Sequence, residues 1–372
     1  MSADAELEAA EQRLGRAWLG LEGIADGFEE RIHPDDEMFL TARAARAGRA
    51  RVQYYRDGQE VVRSLRHMLA CAGRTLGDAS RVLEMACGFG RVTRHLVQEV
   101  APERITAAEI LEPAIGFMSE TFGVDARLSA TDPIDFDAGS DFDLIFVSSL
   151  FSHLPRERFV EWLRTLYGAL SPTGLLVFST HGARVIPSIS KSSDGFTFVP
   201  RSESRGLDTA EYGSTFVRPD VVRALADEAG VTNLVGVDRE LWKLQDVFVG
   251  SRASLAALES WDNSPYVHGL VDRLLFSDDG RFHIDGWAAE SGAGARLQDV
   301  RLVVNGQDLA GVELGAARED VADAWGRPEW IHSGWSLQGK LPPIDPGRHV
   351  LGVRARSDAG TTDVFDVLDL DV

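Results

Sequence analysis

A small-residue turn follows an apolar run in the stretch RVLEMACGFGRVTRHL, from Arg81 to Leu96. An acid near the end of the run, Glu84, precedes the turn, and Gly88 and Gly90 lie within it, just before a helix-like pattern. A strand that runs into such a turn and helix presents backbone N–H groups to an anionic or strongly polar ligand. The stretch therefore predicts a cofactor site, and the spacing of its small residues bears on which cofactor it binds.

Two cofactor classes use a turn of this kind. A dinucleotide site has the pattern G-x-G-x-x-G, in which the third glycine lets the helix pack closely and leaves room for pyrophosphate. Gly88 and Gly90 fit the first two positions, but Thr93 occupies the third, and its β-branch disfavours a dinucleotide. The pattern E-x-A-C-G-F-G resembles motif I of the class I S-adenosylmethionine-dependent methyltransferases, with Ala86 in place of the first glycine. We expect Ala86 to keep a negative φ, because alanine then replaces glycine without strain.

The resemblance extends from about Arg81 to Ser251 and implies cofactor contacts at several strand ends. In that family the turn, here Ala86, Cys87, Gly88 and Gly90, lines the amino-acid part of the cofactor, and the second strand ends in an acid that holds the ribose hydroxyls. Glu109 matches that acid, and a carboxylate suits a vicinal diol because it accepts two hydrogen bonds. Glu109 also suits a dinucleotide, so it does not discriminate between the cofactors. The predicted cofactor-binding residues are Glu84, Ala86, Cys87, Gly88, Gly90, Glu109, Ile110, Ser129 and Ala130 near adenine, Ser148 facing the methyl donor, and Tyr55.

Two histidines follow predicted strands and are candidate general bases. Methyl transfer needs little covalent help, because the sulfonium carbon is already activated; the enzyme aligns the acceptor and, for a hydroxyl, removes its proton. His153 follows the fourth predicted strand and His181 the fifth. Each also has a structural interpretation, a half-buried histidine that hydrogen-bonds a loop. Tyr55 likewise either closes over the cofactor or packs at a helix entry, and Cys87 is interpreted as a small turn residue rather than a nucleophile.

Short β-rich runs alternate with helical segments from Arg81 onward, which is typical of a parallel sheet covered on both faces. The predicted strands are 81–85, 104–109, 125–129, 142–148 and 174–180, with a helix after each of the first four. The runs 231–237 and 245–251 are joined too closely for a helical crossover, so they are predicted to pair antiparallel. The resembled family ends in such a reversed hairpin. A capping box at Asp57 to Glu60 predicts the start of an earlier helix.

The predicted fold is α/β, with a doubly wound seven-stranded Rossmann-like methyltransferase sheet, an N-terminal helical segment and a C-terminal all-β sandwich. The predicted domains are a helical cap over 1–75, an S-adenosylmethionine-binding domain over 76–255 and the sandwich over 265–372. Short alternating runs and the type I′ hairpin signal Asn305-Gly306 support the sandwich. The polar stretch 183–215 is far longer than a typical connection, so we interpret it as a lid or an acceptor-binding segment.

The tail gives the only indication of the acceptor. RFHIDGWA, the VVNG hairpin, AREDVADAW and SGWSLQGKL resemble the small β-sandwich modules of bacterial polysaccharide-assembly enzymes. The resemblance implies O-methylation of a sugar, a glycan or another small hydroxylated acceptor. Five of the eight tryptophans lie between Trp261 and Trp335; such rings stack on sugars or fill cores, and we favour the core. Two other functions stay open: an NAD(P)-dependent oxidoreductase, and a non-catalytic S-adenosylmethionine-binding scaffold whose sandwich recruits a protein partner or a second copy.

Composition limits the partners and the location. The net charge of -20 disfavours binding to nucleic acid or to anionic membrane surfaces. No apolar run approaches the roughly 18 to 20 residues of a membrane span, and the acidic N-terminus lacks an export signal, so a cytoplasmic location is expected. Only Cys71 and Cys87 occur, and no histidine and carboxylate cluster has ligand spacing, so neither a disulfide framework nor a metal is expected.

Overall fold

The structure, a computed structural model, describes residues 3–24, 27–182, 194–201, 207–277, 281–292, 296–309, 312–340 and 344–371. Contacts divide the chain into two units. The sandwich unit consists of Met1–Asp26, Met38–Arg56 and Ser264–Val372, and the sheet unit consists of Gly27–Glu37 and Asp57–Asn263. The domain boundaries predicted from the sequence stay predictions.

A mixed sheet of nine strands, counted over the described residues, organises the sheet unit. Strands β1 to β5 are parallel and lie in the order β3-β2-β1-β4-β5, β9 pairs antiparallel with β5, and β8 pairs antiparallel with β9. The strands are β1 Val82–Met85, β2 Ile105–Glu109, β3 Asp125–Leu128, β4 Phe142–Val147, β5 Leu170–His181, β6 Phe196–Val199, β7 Ser214–Val217, β8 Asn233–Leu241 and β9 Gln245–Ser251.

This topology confirms the predicted α/β fold and the reversed hairpin at its end. Two strands exceed the expected seven, because parts of the 183–215 stretch form β6 and β7, which pair antiparallel. Strand β7 joins the sheet beside β5, where His181 faces Phe216 across a parallel pair. Residues 183–193 and 202–206 of the proposed lid lie outside the described residues.

Helices cover both faces of the sheet, and two of the predicted ones need correction. The helices are α3 Ala50–Cys71, α4 Thr93–Leu96, α5 Glu112–Phe122, α6 Arg156–Gly168 and α7 Pro219–Ala229. The prediction that a helix begins after Asp57 is wrong, because α3 already begins at Ala50. Gly58 lets that helix pack closely against the backbone at Arg91, since a Cβ at position 58 would lie 2.1 Å from the carbonyl oxygen of Arg91. After β3 a single 3-10 turn, Pro133–Asp135, replaces the predicted helix, and the Asp132 side chain accepts from the Ile134 N–H.

Burial on both faces explains why the central strands read as continuous apolar runs. Leu83 and Ile145 belong to one core cluster, and Val82 and Leu144 belong to the cluster on the opposite face. All four residues of β1 are buried. Because helices and side chains occupy the faces, a ligand can reach this sheet only at its strand ends.

The sandwich unit has two four-stranded antiparallel sheets in its described part, in the orders β10-β11-β15-β14 and β13-β12-β16-β17. Its strands are β10 Val267–Phe276, β11 Arg281–Glu290, β12 Leu297–Val304, β13 Gln307–Leu309, β14 Glu313–Ala316, β15 Gly334–Lys340, β16 Arg348–Ser357 and β17 Thr362–Asp371, and its helices are α1 Ala3–Glu22, α2 Glu37–Ala45 and α8 Glu319–Trp325. Asn305 and Gly306 have φ of +50° and +78° between β12 and β13, which confirms the hairpin signal.

The tryptophans of this unit fill interior space, as favoured from the sequence. Trp335 is 1% exposed and contacts Phe365 within the core between the sheets. Trp287, Trp325 and Trp330 contact one another in a second, smaller cluster. Among the described helices of the chain, none is long and apolar enough to cross a membrane.

Candidate functional site

The carboxyl ends of the parallel strands bring most of the predicted site residues to one edge of the sheet. Met85 of β1 is in register with Ala108 of β2 on one side and with Val147 of β4 on the other. The next residues along the chain, Ala86, Glu109 and Ser148, therefore lie next to one another. A crevice at the strand ends is where open α/β sheets bind ligands.

The turn after β1 adopts left-handed backbone at three positions. The φ values are +58° at Ala86, +57° at Gly88 and +80° at Gly90. The expectation of a negative φ at Ala86 is therefore wrong, and an L-residue held there costs about 1–2 kcal/mol. Gly90 is required for space as well, because a Cβ at that position would lie 2.4 Å from a ring carbon of Phe122.

Glu84 and Thr93 form a buried pair beneath the turn. Thr93 Oγ1 donates a 2.6 Å hydrogen bond to Glu84 Oε2, and the two side chains are 0% and 1% exposed. Burial raises the pKa of Glu84 to about 7, against the opposing effect of the Thr93 hydroxyl. Thr93, which occupies the position of the third glycine of a dinucleotide site, thus uses its hydroxyl to hydrogen-bond Glu84, the acid of motif I. Burial also raises the pKa of the Cys87 thiol well above its usual value, so that the thiol stays protonated.

Glu109 connects the turn to the end of β2. Its Oε2 accepts from the Gly88 N–H at 2.8 Å, and its Oε1 accepts from Ile110 and Leu111 N–H groups at 2.8 and 3.2 Å. Burial raises the pKa of Glu109, which the three amides oppose. Its backbone carbonyl accepts from the Ser129 N–H at 2.8 Å, so Ser129 lies beside it. Three of about four carboxylate acceptor positions are filled by the amides; partly buried Ala130 packs against the adjoining core.

Residues 27–37 pack against the turn, a contact for which the sequence has no periodic signal. The buried guanidinium of Arg94 donates to Gly90 O at 3.0 Å and to the carbonyl oxygens of Glu29 and Arg31 at 2.6 and 3.1 Å. The ring of His33 stacks on Phe89, with centroids 4.3 Å apart. Contacts with this segment therefore hold the turn in addition to its contact with Glu109.

Both candidate histidines lie at the ends of β4 and β5, with ring centroids 6.1 Å apart. His153 stacks on Tyr212, and its Nδ1 lies 2.7 Å from the Gly213 carbonyl oxygen. Because a carbonyl only accepts, Nδ1 carries the proton and Nε2 is the basic nitrogen of that ring. His181 stacks on Phe216, and its Nε2 lies 3.3 Å from the amide nitrogen of Gln245.

His181 lies in an environment that disfavours its charged form. Burial, and secondarily the neighbouring His153, lower the pKa of His181 to about 4. A general base works best with a pKa near the operating pH. His181 is therefore neutral and weakly basic at neutral pH, which suits a structural role.

Tyr55 is the one predicted cofactor residue that belongs to the sandwich unit. Its ring is 0% exposed and contacts Trp18 and Tyr54. A ring without accessible surface has no face to offer a ligand, so packing accounts for Tyr55 and the predicted cofactor role has no support.

Across the described ranges, no group of three or more His, Cys, Asp or Glu residues is placed to hold a metal ion.

Comparison with known proteins agrees with this geometry. Residues 82–174, about a quarter of the chain, match the family described as "Methyltransferase domain", which supports the prediction of a methyltransferase. The malonyl-[acyl-carrier protein] O-methyltransferase of Bacillus cytotoxicus is 29% identical over 150 residues, covering 40% of this chain and 52% of that protein. The chain thus spans about half the length of this curated relative.

Solved structures give weaker similarities. DesVI of Streptomyces venezuelae has a TM-score of 0.41 at 17% identity, covering 60% of this chain and 100% of that chain. The DhpI–SAH complex has a TM-score of 0.37 at 17% identity, covering 61% of this chain and 97% of that chain. At TM-scores below 0.5 these similarities carry no argument, and the fold assignment depends on the strand order and register.

Proposed function

We propose that this chain is an S-adenosylmethionine-dependent methyltransferase that methylates a hydroxyl group of a small acceptor. One observation carries the proposal: the turn after β1 joins Glu84 and Glu109 at the carboxyl edge of a sheet with a reversed terminal hairpin. The family match over residues 82–174 supports it. The hydrogen-bonded Glu84–Thr93 pair disfavours the oxidoreductase alternative. A dinucleotide site has a glycine at the position of Thr93, and here that position holds a fully buried threonine.

The residues at this edge fit the cofactor. A Cβ at Gly88 would meet no atom within 4 Å, so the turn opens onto unfilled space. Glu109 retains an acceptor position for a ribose hydroxyl, and Ile110, Ser129, Ala130 and Ser148 line the neighbouring strand ends. When bound, S-adenosylmethionine supplies an activated methyl group. The protein's own task is to orient the acceptor and to accept its proton.

We assign the general base to His153 rather than His181. The Gly213 carbonyl fixes the proton on Nδ1 of His153, which turns the basic lone pair to Nε2. His181 has its Nε2 engaged by Gln245 and a pKa of about 4. A positioned base contributes roughly 10²–10⁴-fold to the rate of proton removal. His181 is then a neighbour that shapes the site.

A sugar or glycan hydroxyl is the proposed acceptor, on the resemblance of the tail to modules of polysaccharide-assembly enzymes. The malonyl-[acyl-carrier protein] relative favours a second candidate, a carboxyl group. The two acceptors differ in their need for a base. A hydroxyl must lose a proton during transfer, whereas a carboxylate is already ionised at neutral pH.

Methyl-labelled S-adenosylmethionine tests both candidates. The purified protein would be offered saccharides and nucleotide sugars in one panel, and malonyl thioesters in the other. With a hydroxyl acceptor, His153→Ala should lower kcat at least 100-fold and leave the calorimetric Kd for S-adenosylmethionine within twofold, whereas His181→Ala should reduce kcat less. Label transfer to a carboxyl group that survives His153→Ala would overturn the hydroxyl proposal.

The scaffold and oxidoreductase alternatives require different outcomes. A scaffold would bind S-adenosylmethionine without transferring label to any compound of either panel. An oxidoreductase would give a calorimetric signal with NAD(P) and none with S-adenosylmethionine. Mass spectrometry of small molecules released from the purified protein gives an independent measurement, because co-purified S-adenosylhomocysteine would identify the cofactor directly.

A further inference from the structure

A buried amide lies at the edge where the two histidines meet. Gln245, the first residue of β9, is 5% exposed and faces His181 across the antiparallel pair with β5. Its Oε1 lies 2.6 Å from Ser179 Oγ, and its Nε2 lies 2.9 Å from Ser149 Oγ and 3.3 Å from His181 Nε2. One side chain therefore contacts residues from the ends of both β4 and β5.

The orientation of this amide follows from donor and acceptor accounting. The Ser149 backbone N–H donates to Ser179 Oγ at 3.0 Å. The Ser179 hydroxyl in turn donates to Gln245 Oε1, and the NH₂ group forms the other end of the amide. That NH₂ group donates to Ser149 Oγ and to His181 Nε2. His181 consequently carries its ring proton on Nδ1.

Ser149 is held in an unfavourable backbone conformation. Its φ is +63°, although it is not a glycine. Such a residue costs of order 1–3 kcal/mol and persists only where surrounding contacts enforce it. Both its N–H and its hydroxyl are bound by the Ser179 and Gln245 pair, which supplies that enforcement.

Hydrogen bonds connect the loop from Ser149 to His153 with its surroundings. Ser152 Oγ donates to the Ser149 carbonyl at 2.6 Å, and the Ser152 carbonyl accepts from the Thr215 N–H at 2.7 Å. The His153 backbone carbonyl accepts from the Gly213 N–H at 2.8 Å, while Gly213 O accepts from the His153 ring. The loop is thus fixed at one end by Gln245 and at the other by β7.

We propose that Gln245 and Ser179 are positioning residues that set the 149–153 loop, and with it the direction of His153 Nε2, and that Gln245 selects the Nδ1–H form of His181. The inference rests on the proposed methyltransferase function, because it concerns the alignment of the base with the acceptor. The proposal assigns neither residue a contact with the acceptor. They act through the loop and through the two imidazole rings.

The test is ¹⁵N NMR of the histidine ring nitrogens at pH 7, with and without S-adenosylhomocysteine. Protonated and unprotonated ring nitrogens give separate signals, so each tautomer is read directly. In Gln245→Met, the ring signals of His181 should move from a single Nδ1–H form toward a mixture, and those of His153 should shift. Ser179→Ala should shift His153 and the Ser149 amide, and it keeps the proposal testable if Gln245→Met does not fold.

Ser251→Ala is the matched control. Ser251 also lies in β9, and its buried hydroxyl donates to Gly174 O at 2.8 Å, at the opposite edge of the sheet. It should lower the Tm comparably without moving either histidine. Unchanged His153 and His181 signals in both Gln245→Met and Ser179→Ala would overturn the inference. If the wild-type protein does not bind S-adenosylmethionine, the proposed function fails instead, and the NMR result still decides the positioning role.

Discussion

Replacing Glu84 with glutamine should change how the stability of the sheet unit depends on pH. Burial raises the pKa of Glu84 from 4.5 to about 7, helped by the charge of Glu109 and opposed by Thr93 and Arg91. The folded state therefore prefers the protonated acid. Its contribution to stability is fully present below pH 4.5, falls as the pH rises to about 7, and is constant above that.

The size of this effect follows from the two pKa values. A tenfold change in an acid constant is worth about 1.4 kcal/mol, so a pKa of about 7 in place of 4.5 corresponds to about 3 kcal/mol. Glutamine keeps an acceptor for the Thr93 hydroxyl and does not ionise. We therefore expect Glu84→Gln to become more stable relative to wild type by about 3 kcal/mol between pH 4.5 and pH 8.

Equilibrium urea unfolding, followed by tryptophan fluorescence at pH 4.5, 6 and 8, measures this difference. Because the chain has two units, unfolding can show two transitions. The variant Leu163→Ala identifies which of them belongs to the sheet unit, the unit that contains Glu84. Leu163 is fully buried in α6 of the sheet unit, so its truncation should lower that transition by about 2–5 kcal/mol. Other ionisable groups, including Glu60, whose pKa burial also raises to about 7, largely cancel in the difference between variant and wild type.

Glu103→Gln, at an exposed position, should show the same pH dependence as wild type. A Glu84→Gln difference that stays constant within about 0.5 kcal/mol from pH 4.5 to 8 would contradict this prediction, because the pKa of Glu84 in the folded state would then lie near its usual value.

Three further substitutions test the turn and its partner acid. Ala86→Gly should leave the Tm unchanged or higher, since φ is +58°, whereas Ala114→Gly inside α5 should cost about 1 kcal/mol. Gly90→Ala should destabilise the protein by about 2 kcal/mol or more, because its Cβ would meet the Phe122 ring. Its control, Gly116→Ala on the exposed side of α5, should stabilise slightly. A similar Tm for both variants would contradict the packing at Gly90. Glu109→Gln should weaken calorimetric binding of S-adenosylhomocysteine about 10- to 100-fold, as expected for lost hydrogen bonds to a charged group, and an unchanged Kd would remove Glu109 from the cofactor site.

Local chemistry in the sequence was enough for much of the fold. Continuous apolar runs predicted the parallel strands, because a strand buried on both faces has no polar alternation. Local residue types also mark the ends of α7, since Pro219 suits the first helical turn and Gly230 adopts the left-handed C-cap with φ of +90°. The same reasoning failed at Asp57 to Glu60. There the glycine serves a contact with Arg91, and Glu60 accepts from the Trp242 N–H rather than capping a helix.

Chain order and strand direction dictate where each strand ends, so the residues that reach the carboxyl edge of the sheet could be predicted from the sequence. Tertiary structure alone decided their states: the left-handed backbone at Ala86 and Ser149, the Glu84–Thr93 pair, and the Gln245 contacts. Tautomers and pKa values depend on burial and on partners distant in the chain, which no local pattern encodes. The physical reason is that hydrogen bonding and desolvation act through space, whereas propensity and periodicity act along the chain.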